Sequence, residues 1–179
     1  MQPQKLAATA AVWLLAGSNL FGQPRPVADV LCHPGESTVF SFLTESGKTV
    51  SLCAGPKSAY LVYRFGTAAK TELQYPAVLD ASSWQKFTYW AYHRGGGVAN
   101  AGEELRQLSF KNKGVEYQLY YDVFAVMNKT KQEDSRHEVG VYIVLKGKKA
   151  HLVGRKSSIV GSLDLADDQR ERVKVSEQP

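Results

Sequence analysis

Gly47-Lys48-Thr49-Val50-Ser51-Leu52-Cys53 and, six residues on, Tyr60-Leu61-Val62-Tyr63-Arg64-Phe65-Gly66 carry the clearest structural signal in the chain. In both runs β-prone residues alternate with polar ones and stop at Gly or Pro, the pattern of strands with one buried face. Neither run contains a catalytic motif. Working outward, Thr38 to Leu43 and Thr49 to Ala54 flank Glu45-Ser46-Gly47-Lys48, a hairpin turn with glycine where positive φ is needed. Ala59 to Phe65 reads as a third strand, and Thr71 to Tyr75 as a fourth that Pro76 stops.

The same punctuation continues downstream. Leu105 to Lys111 and Val115 to Phe124 bracket Asn112-Lys113-Gly114, while Val139 to Leu145 and Ala150 to Val153 bracket Lys146-Gly147-Lys148-Lys149. Both are hairpin signals. A short helix is expected over Leu165 to Val173, capped by Asp164, with Asp167 and Asp168 in the first turn where the macrodipole favours acids. These elements add up to an all-β protein, a single antiparallel sandwich or barrel-like domain with a short C-terminal helix.

The first residues point to export. A lone cation at Lys5 precedes an apolar run from Leu6 to Gly17, too short for a bilayer core that takes roughly 20 residues, so residues 1–22 read as a secretory signal. Cleavage after Ser18 or after Gly22 fits, and Gly22 is favoured. No cysteine near the cut suggests a lipid anchor. Residues 23–36 then form an extension containing Cys32, residues 37–163 the β domain, and residues 164–179 the helix and a polar tail. Two cysteines, Cys32 and Cys53, are the only ones in the 179 residues. In an oxidising compartment they are expected to bond, contributing about 3 kcal/mol by loop entropy. Zinc would need more ligands than this pair supplies, and His33, His93, His137 and His151 are scattered singly, so no metal or cofactor is expected.

The formal net charge is +5, although the stretch Asp164 to Pro179 holds five acids and three bases. A basic exported protein of this kind meets acidic proteins, lipopolysaccharide or cell-wall polymers before it meets nucleic acid. Periplasmic or secreted localisation is therefore expected, with no transmembrane segment after the leader.

Several short motifs occur in order: Gly47-Lys48 through Leu52-Cys53, Tyr63-Arg64-Phe65-Gly66, Glu72-Leu73 with Tyr75-Pro76, Arg94 with Gly95-Gly96, Asn100 with Gly102, and Val139-Gly140-Val141. Over about residues 38 to 165 they resemble a group of uncharacterised exported proteins of Gram-negative bacteria. The resemblance implies a periplasmic or secreted β protein and no particular chemistry. Members often carry cysteines near the positions of Phe42 and of Val153 or Gly154. This chain has neither, and the resemblance then implies that Cys32 substitutes as the partner of Cys53.

Candidate sites cluster around Trp84 to Arg94, an aromatic segment that runs into Gly95-Gly96-Gly97. Read as one strand, it puts Phe87, Tyr89, Ala91 and His93 on one face and Lys86, Thr88, Trp90, Tyr92 and Arg94 on the other. Trp84, Trp90, Tyr89 and Tyr92 offer flat surfaces for a sugar ring or a partner's pocket, with Lys86 and Arg94 beside them. A basic stripe, Lys146, Lys148 and Lys149 with His151, Arg155 and Lys156, marks a late hairpin and equally suits an edge guarded against aggregation. Arg64 is expected to meet Glu72 across the sheet. A hydrolase would have to use His93 with Glu103, Glu104 or Asp122, but no Gly-x-Ser-x-Gly elbow or nucleotide loop supports one. Asn128-Lys129-Thr130 matches a glycosylation sequon.

The expectation is therefore a non-catalytic binding protein that recognises an acidic protein, of inhibitor or immunity type. The alternatives are a glycan-binding protein of the cell envelope using the aromatics or, less favoured, a hydrolase centred on His93.

Overall fold

The structure, a computed structural model, describes residues 29–96, 101–127 and 133–178. The expected leader and the sequon lie outside the described residues. Among the described residues eleven strands are formed: β1 (Ser37–Leu43), β2 (Thr49–Ala54), β3 (Leu61–Thr67), β4 (Lys70–Tyr75), β5 (Thr88–Arg94), β6 (Glu103–Asn112), β7 (Val115–Met127), β8 (Glu133–Leu145), β9 (Lys148–Val153), β10 (Val160–Gly161) and β11 (Lys174–Val175). They make two sheets, ordered β10-β1-β2-β3-β4 and β11-β5-β6-β7-β8-β9. All pairings are antiparallel except β11 with β5. The fold is all-β, as expected, with one short helix, α1 (Asp167–Arg170), near the C-terminus.

The hairpins lie where their turn residues put them. Lys113 and Gly114 both take positive φ, as do Lys146 and Gly147, the primed geometry that matches strand twist in two-residue connections. β8 begins at Glu133, six residues before the expected Val139. Its charged first half, Glu133 to Glu138, pairs with β7 well beyond the hydrophobic alternation that signals a strand.

The core lies between the sheets. Phe40, Phe42, Val50, Leu52, Leu61 and Tyr63 from one sheet meet Tyr89, Leu108, Phe110, Leu119, Val139 and Val141 from the other. Phe110 joins the layers, stacking on Tyr75 at 4.5 Å and on Tyr117 at 4.8 Å between ring centroids, with Tyr63 tilted against it at 4.9 Å. Each such pair contributes about 0.5–1.5 kcal/mol beyond its buried area. At one corner the sheets are linked by the bridge between Thr44 and Gly154, where the Arg155 amide donates to Leu43 and the Glu45 amide to Val153.

Two expected elements differ. The helix is a single turn with Ala166 at its N-cap rather than Asp164, because Leu163, Leu165 and Val173 are drawn into the core on either side of it. Asp164 instead pairs with Arg170 at 2.6 Å. The segment before β5 is a 3-10 turn, Ala81–Lys86, capped by Asp80, whose side chain accepts from the Ser82 amide. No helix of the described residues is long and apolar enough to cross a membrane.

Candidate functional site

In β-sheets, residues directly opposite one another across strands share a face. The outward face of the five-stranded sheet carries a polar row, Ser41, Ser51, Arg64 and Gln74, in mutual register. Residues 29–36 lie across this row. The Leu31 amide donates to Ser51 Oγ at 3.0 Å, and Ser51 and Ser41 share a hydrogen bond at 2.8 Å. Cys32 is bonded to Cys53 on β2, as the sequence leads one to expect.

Arg64 is fully buried beneath this strap. Its guanidinium donates to both Glu36 oxygens, at 2.6 and 2.9 Å, to the Leu31 carbonyl at 3.2 Å and to Gln74 at 3.0 Å. The expected pairing with Glu72 does not form. Glu72 lies at the sheet surface and binds Lys48 at 2.7 Å, whereas Glu36 arrives from the strap directly over Arg64. Burial pushes the Glu36 carboxyl up, but hydrogen bonds from Arg64, the His33 amide and Tyr60, together with the Arg64 charge, outweigh it and hold the carboxyl below the ordinary value. Cys32, Glu36 and Cys53 bring ligand-type atoms within 4.8 Å of one another. The sulfurs are spent in the bridge and the carboxylate in the arginine pair, so the group is structural.

The outward face of the six-stranded sheet has no comparable cover among the described residues. Register sets out its rows: Lys111, Glu116, Val144 and Lys149; then Thr88, Ser109, Gln118, Tyr142 and His151; then Trp90, Gln107, Tyr120 and Gly140; then Tyr92, Leu105, Asp122 and Glu138. Tyr120 and Gly140 are the buried members, the Tyr120 ring lying against Gly140, where a Cβ would fall 2.7 Å from the hydroxyl oxygen. Tyr120 Oη and His151 Nε2 share a hydrogen bond at 2.7 Å, and Tyr142 stacks on both rings.

Two hollows lie along this face. One of about 740 Å³, at the end of the sandwich, is lined by Thr88, Ser109, Gln118 and Tyr142 of this face, by Tyr75, Phe110 and Tyr117 from between the sheets, and by Lys86, Lys111 and Lys174. A smaller one of about 150 Å³ is lined by Thr88, Ser109 and Gln118 again, with Trp90, Gln107 and Gln178. The shared residues make the two hollows one track. Beside it Trp90 and Tyr92 stack nearly parallel, 5° between planes with centroids 6.3 Å apart, and Tyr92 is 41 % exposed.

Trp84 does not belong to this surface. It is 1 % exposed and donates from its indole N–H to the Ser58 carbonyl at 3.0 Å, because the 3-10 turn tucks it into the core before β5 begins. Arg94 lies beyond Tyr92 on the same face, paired to Glu103 at 2.5 Å. Lys146, Lys148 and Lys149 are exposed at the turn and outer edge of the last hairpin. Sequence reasoning missed Gln107, Gln118 and Tyr142. The signal was present as alternation on strands β6 to β8, but it has meaning only once the register aligns these residues.

Among the groups considered for hydrolysis, strand alternation separates His93 from Asp122, whereas His93, Glu103 and Glu104 line one hollow of about 410 Å³. His93 stands opposite Glu104, Nδ1 to Oε1 3.6 Å, on the face turned toward the other sheet, whereas Asp122 and Glu103 belong to the outward face. Burial pushes the Asp122 carboxyl up to about 6, with Glu138 and Glu103 adding like charge against an opposing backbone hydrogen bond at Arg106. Ser135 Oγ lies 2.8 Å from His137 Nε2, whose Nδ1 meets the Tyr121 hydroxyl at 2.8 Å.

Comparison with protein-family models, with curated proteins and with solved structures finds no match for the chain.

Proposed function

We propose that the protein is a non-catalytic binding protein of the periplasm or the extracellular space, and that its ligand is an extended glycan of the cell envelope. The disulfide supports a compartment outside the reducing cytoplasm. One observation carries the glycan reading: the continuous track in which Thr88, Ser109 and Gln118 join two hollows beside the parallel Trp90 and Tyr92 rings. Side-chain amides and hydroxyls both donate and accept, which suits the alternating hydroxyls of a sugar. The flat indole and phenol suit the apolar face of a pyranose ring. From Tyr92 to Lys111 the rows span roughly 20 Å, at about 3.4 Å per residue along a strand, so the track is long enough for several rings.

Sedimentation with purified peptidoglycan at low salt tests this reading. The protein is expected in the pellet, and Trp90→Ala with Tyr92→Ala in the supernatant; a wild-type protein that stays in solution removes the proposal. An acidic protein partner is the second reading, favoured by the exposed lysines Lys146, Lys148 and Lys149. Pull-down from periplasmic extract with Lys148→Glu and Lys149→Glu checks it, since partners unchanged in those variants dismiss the basic hairpin.

A further inference from the structure

The track carries its surplus positive charge at one end. At one end Lys86, Lys111 and Lys174 line the larger hollow with a single carboxylate, Glu116, which is held by Lys111 at 3.0 Å. Lys86 and Lys174 are exposed and have no acid within ion-pair distance among the described residues. Lys149 and His151 extend this end along the edge strand. Toward the other end, past Trp90, the row that holds Tyr92 carries Asp122 opposite Glu138, and the next row carries Glu103 with Arg94 and Arg136, which pair with Glu103 and Glu138. Between the two ends the floor is neutral, made of Thr88, Ser109, Gln118 and Gln107.

A uniformly charged polyanion would find surplus cations at one end only, because the acids of Glu103 and Glu138 at the other are matched by Arg94 and Arg136. A neutral chain would leave the lysine end unused. Resting on the glycan reading above, we propose that the face binds an oligosaccharide in one orientation, with a terminal sugar acid at Lys86 and Lys174 and its uncharged rings running toward Trp90 and Tyr92. The carboxylate gains the two ammonium groups of Lys86 and Lys174 at the lysine end, while the neutral rings meet amides and aromatic faces where a second anion would find no surplus positive charge. Charge complementarity thus selects both the ligand class and its direction.

The probe is 3′-sialyllactose, with one carboxylate on its terminal residue and two neutral rings behind it, compared with its methyl ester by titration calorimetry on the full chain. The acid is expected to bind about tenfold more tightly than the ester at low salt, and the advantage should shrink as salt screens the lysines. Lys86→Gln with Lys174→Gln should lower the affinity for the acid to that for the ester; Trp90→Ala should weaken acid and ester alike. Equal affinity for acid and ester overturns the oriented sugar-acid proposal but leaves the glycan reading standing if the protein still pellets with peptidoglycan. No binding to either probe overturns the proposal, and failure to pellet as well removes the glycan reading beneath it. Pentaglutamate bound as tightly as the acid also overturns it, in favour of an acidic polypeptide.

Discussion

The two outward faces are built from similar materials and end in opposite conditions. On the five-stranded sheet Ser41, Ser51, Arg64 and Gln74 form a polar row, and on the six-stranded sheet Thr88, Ser109 and Gln118 form another. In the first, residues 29–36 descend onto the row, the serines bond to each other and to the strap, and Arg64 is enclosed with Glu36. In the second, the corresponding groups open onto hollows flanked by aromatics and lysines. A polar row on a sheet is therefore not in itself a binding surface. What distinguishes the two is whether the chain returns to consume its hydrogen-bonding capacity.

The largest test strikes the covered face. Arg64→Leu should cost about 3–5 kcal/mol in chemical denaturation, because Glu36 would remain buried and charged without its partner. Combining it with Glu36→Leu should recover much of that loss; a double variant as unstable as the single one would mean the strap is held by something other than this pair. Removing the bridge with Cys32→Ser and Cys53→Ser comes next, at about 3 kcal/mol by loop entropy. Hydrogen exchange should rise at residues 29–36 and on β2 and β3, while the six-stranded sheet keeps its protection.

Acidity separates the faces by sign. The Glu36 carboxyl is held below its unfolded value, so its contribution is present above that value and is lost as pH falls through the lower folded one. Asp122 on the open face is the reverse. Its carboxyl titrates near 6 when folded, above its unfolded value near 3.8, so stability is greatest below the unfolded value and falls as pH rises toward and through 6. Asp122→Asn should therefore raise stability by about 1 kcal/mol at pH 7, after allowance for solvent screening, and by almost nothing at pH 3. Equal gains at both pH values would show that the carboxylate is not the cause. The smallest stability effect belongs to Trp90→Ala, within about 1 kcal/mol for a half-buried ring, although this change is expected to abolish pelleting with peptidoglycan. A large loss of stability there would make Trp90 a packing residue and close the contrast between the faces.

Much of this architecture can be read locally. Glycine and lysine at the hairpin turns, alternation on the flanking strands and a two-cysteine count under expected export all lead to elements that the structure contains. Local reading fails where the outcome depends on distant chain. Trp84 and Trp90 look alike in an aromatic run, yet one is enclosed by a 3-10 turn and the other stands on the open sheet. Arg64 could be matched to Glu72 from the adjacent strand, but Glu36, 28 residues away in sequence, holds it. The first half of β8 carries charge where a strand signal needs apolar residues, and it is ordered by its pairing with β7.

Sequence alone determined that the chain makes strands, where most of them turn and which two sulfurs can join, because turn chemistry, side-chain period and covalent options are properties of neighbouring residues or of simple counts. Only the tertiary structure decided which sheet face is closed by the strap and which remains open, and thus that Gln107, Gln118 and Tyr142 come to lie beside Trp90. The physical reason is register: the side chains of a sheet face come from strands far apart in the chain, and their common environment exists only after those strands have paired and the rest of the polypeptide has either covered them or passed elsewhere.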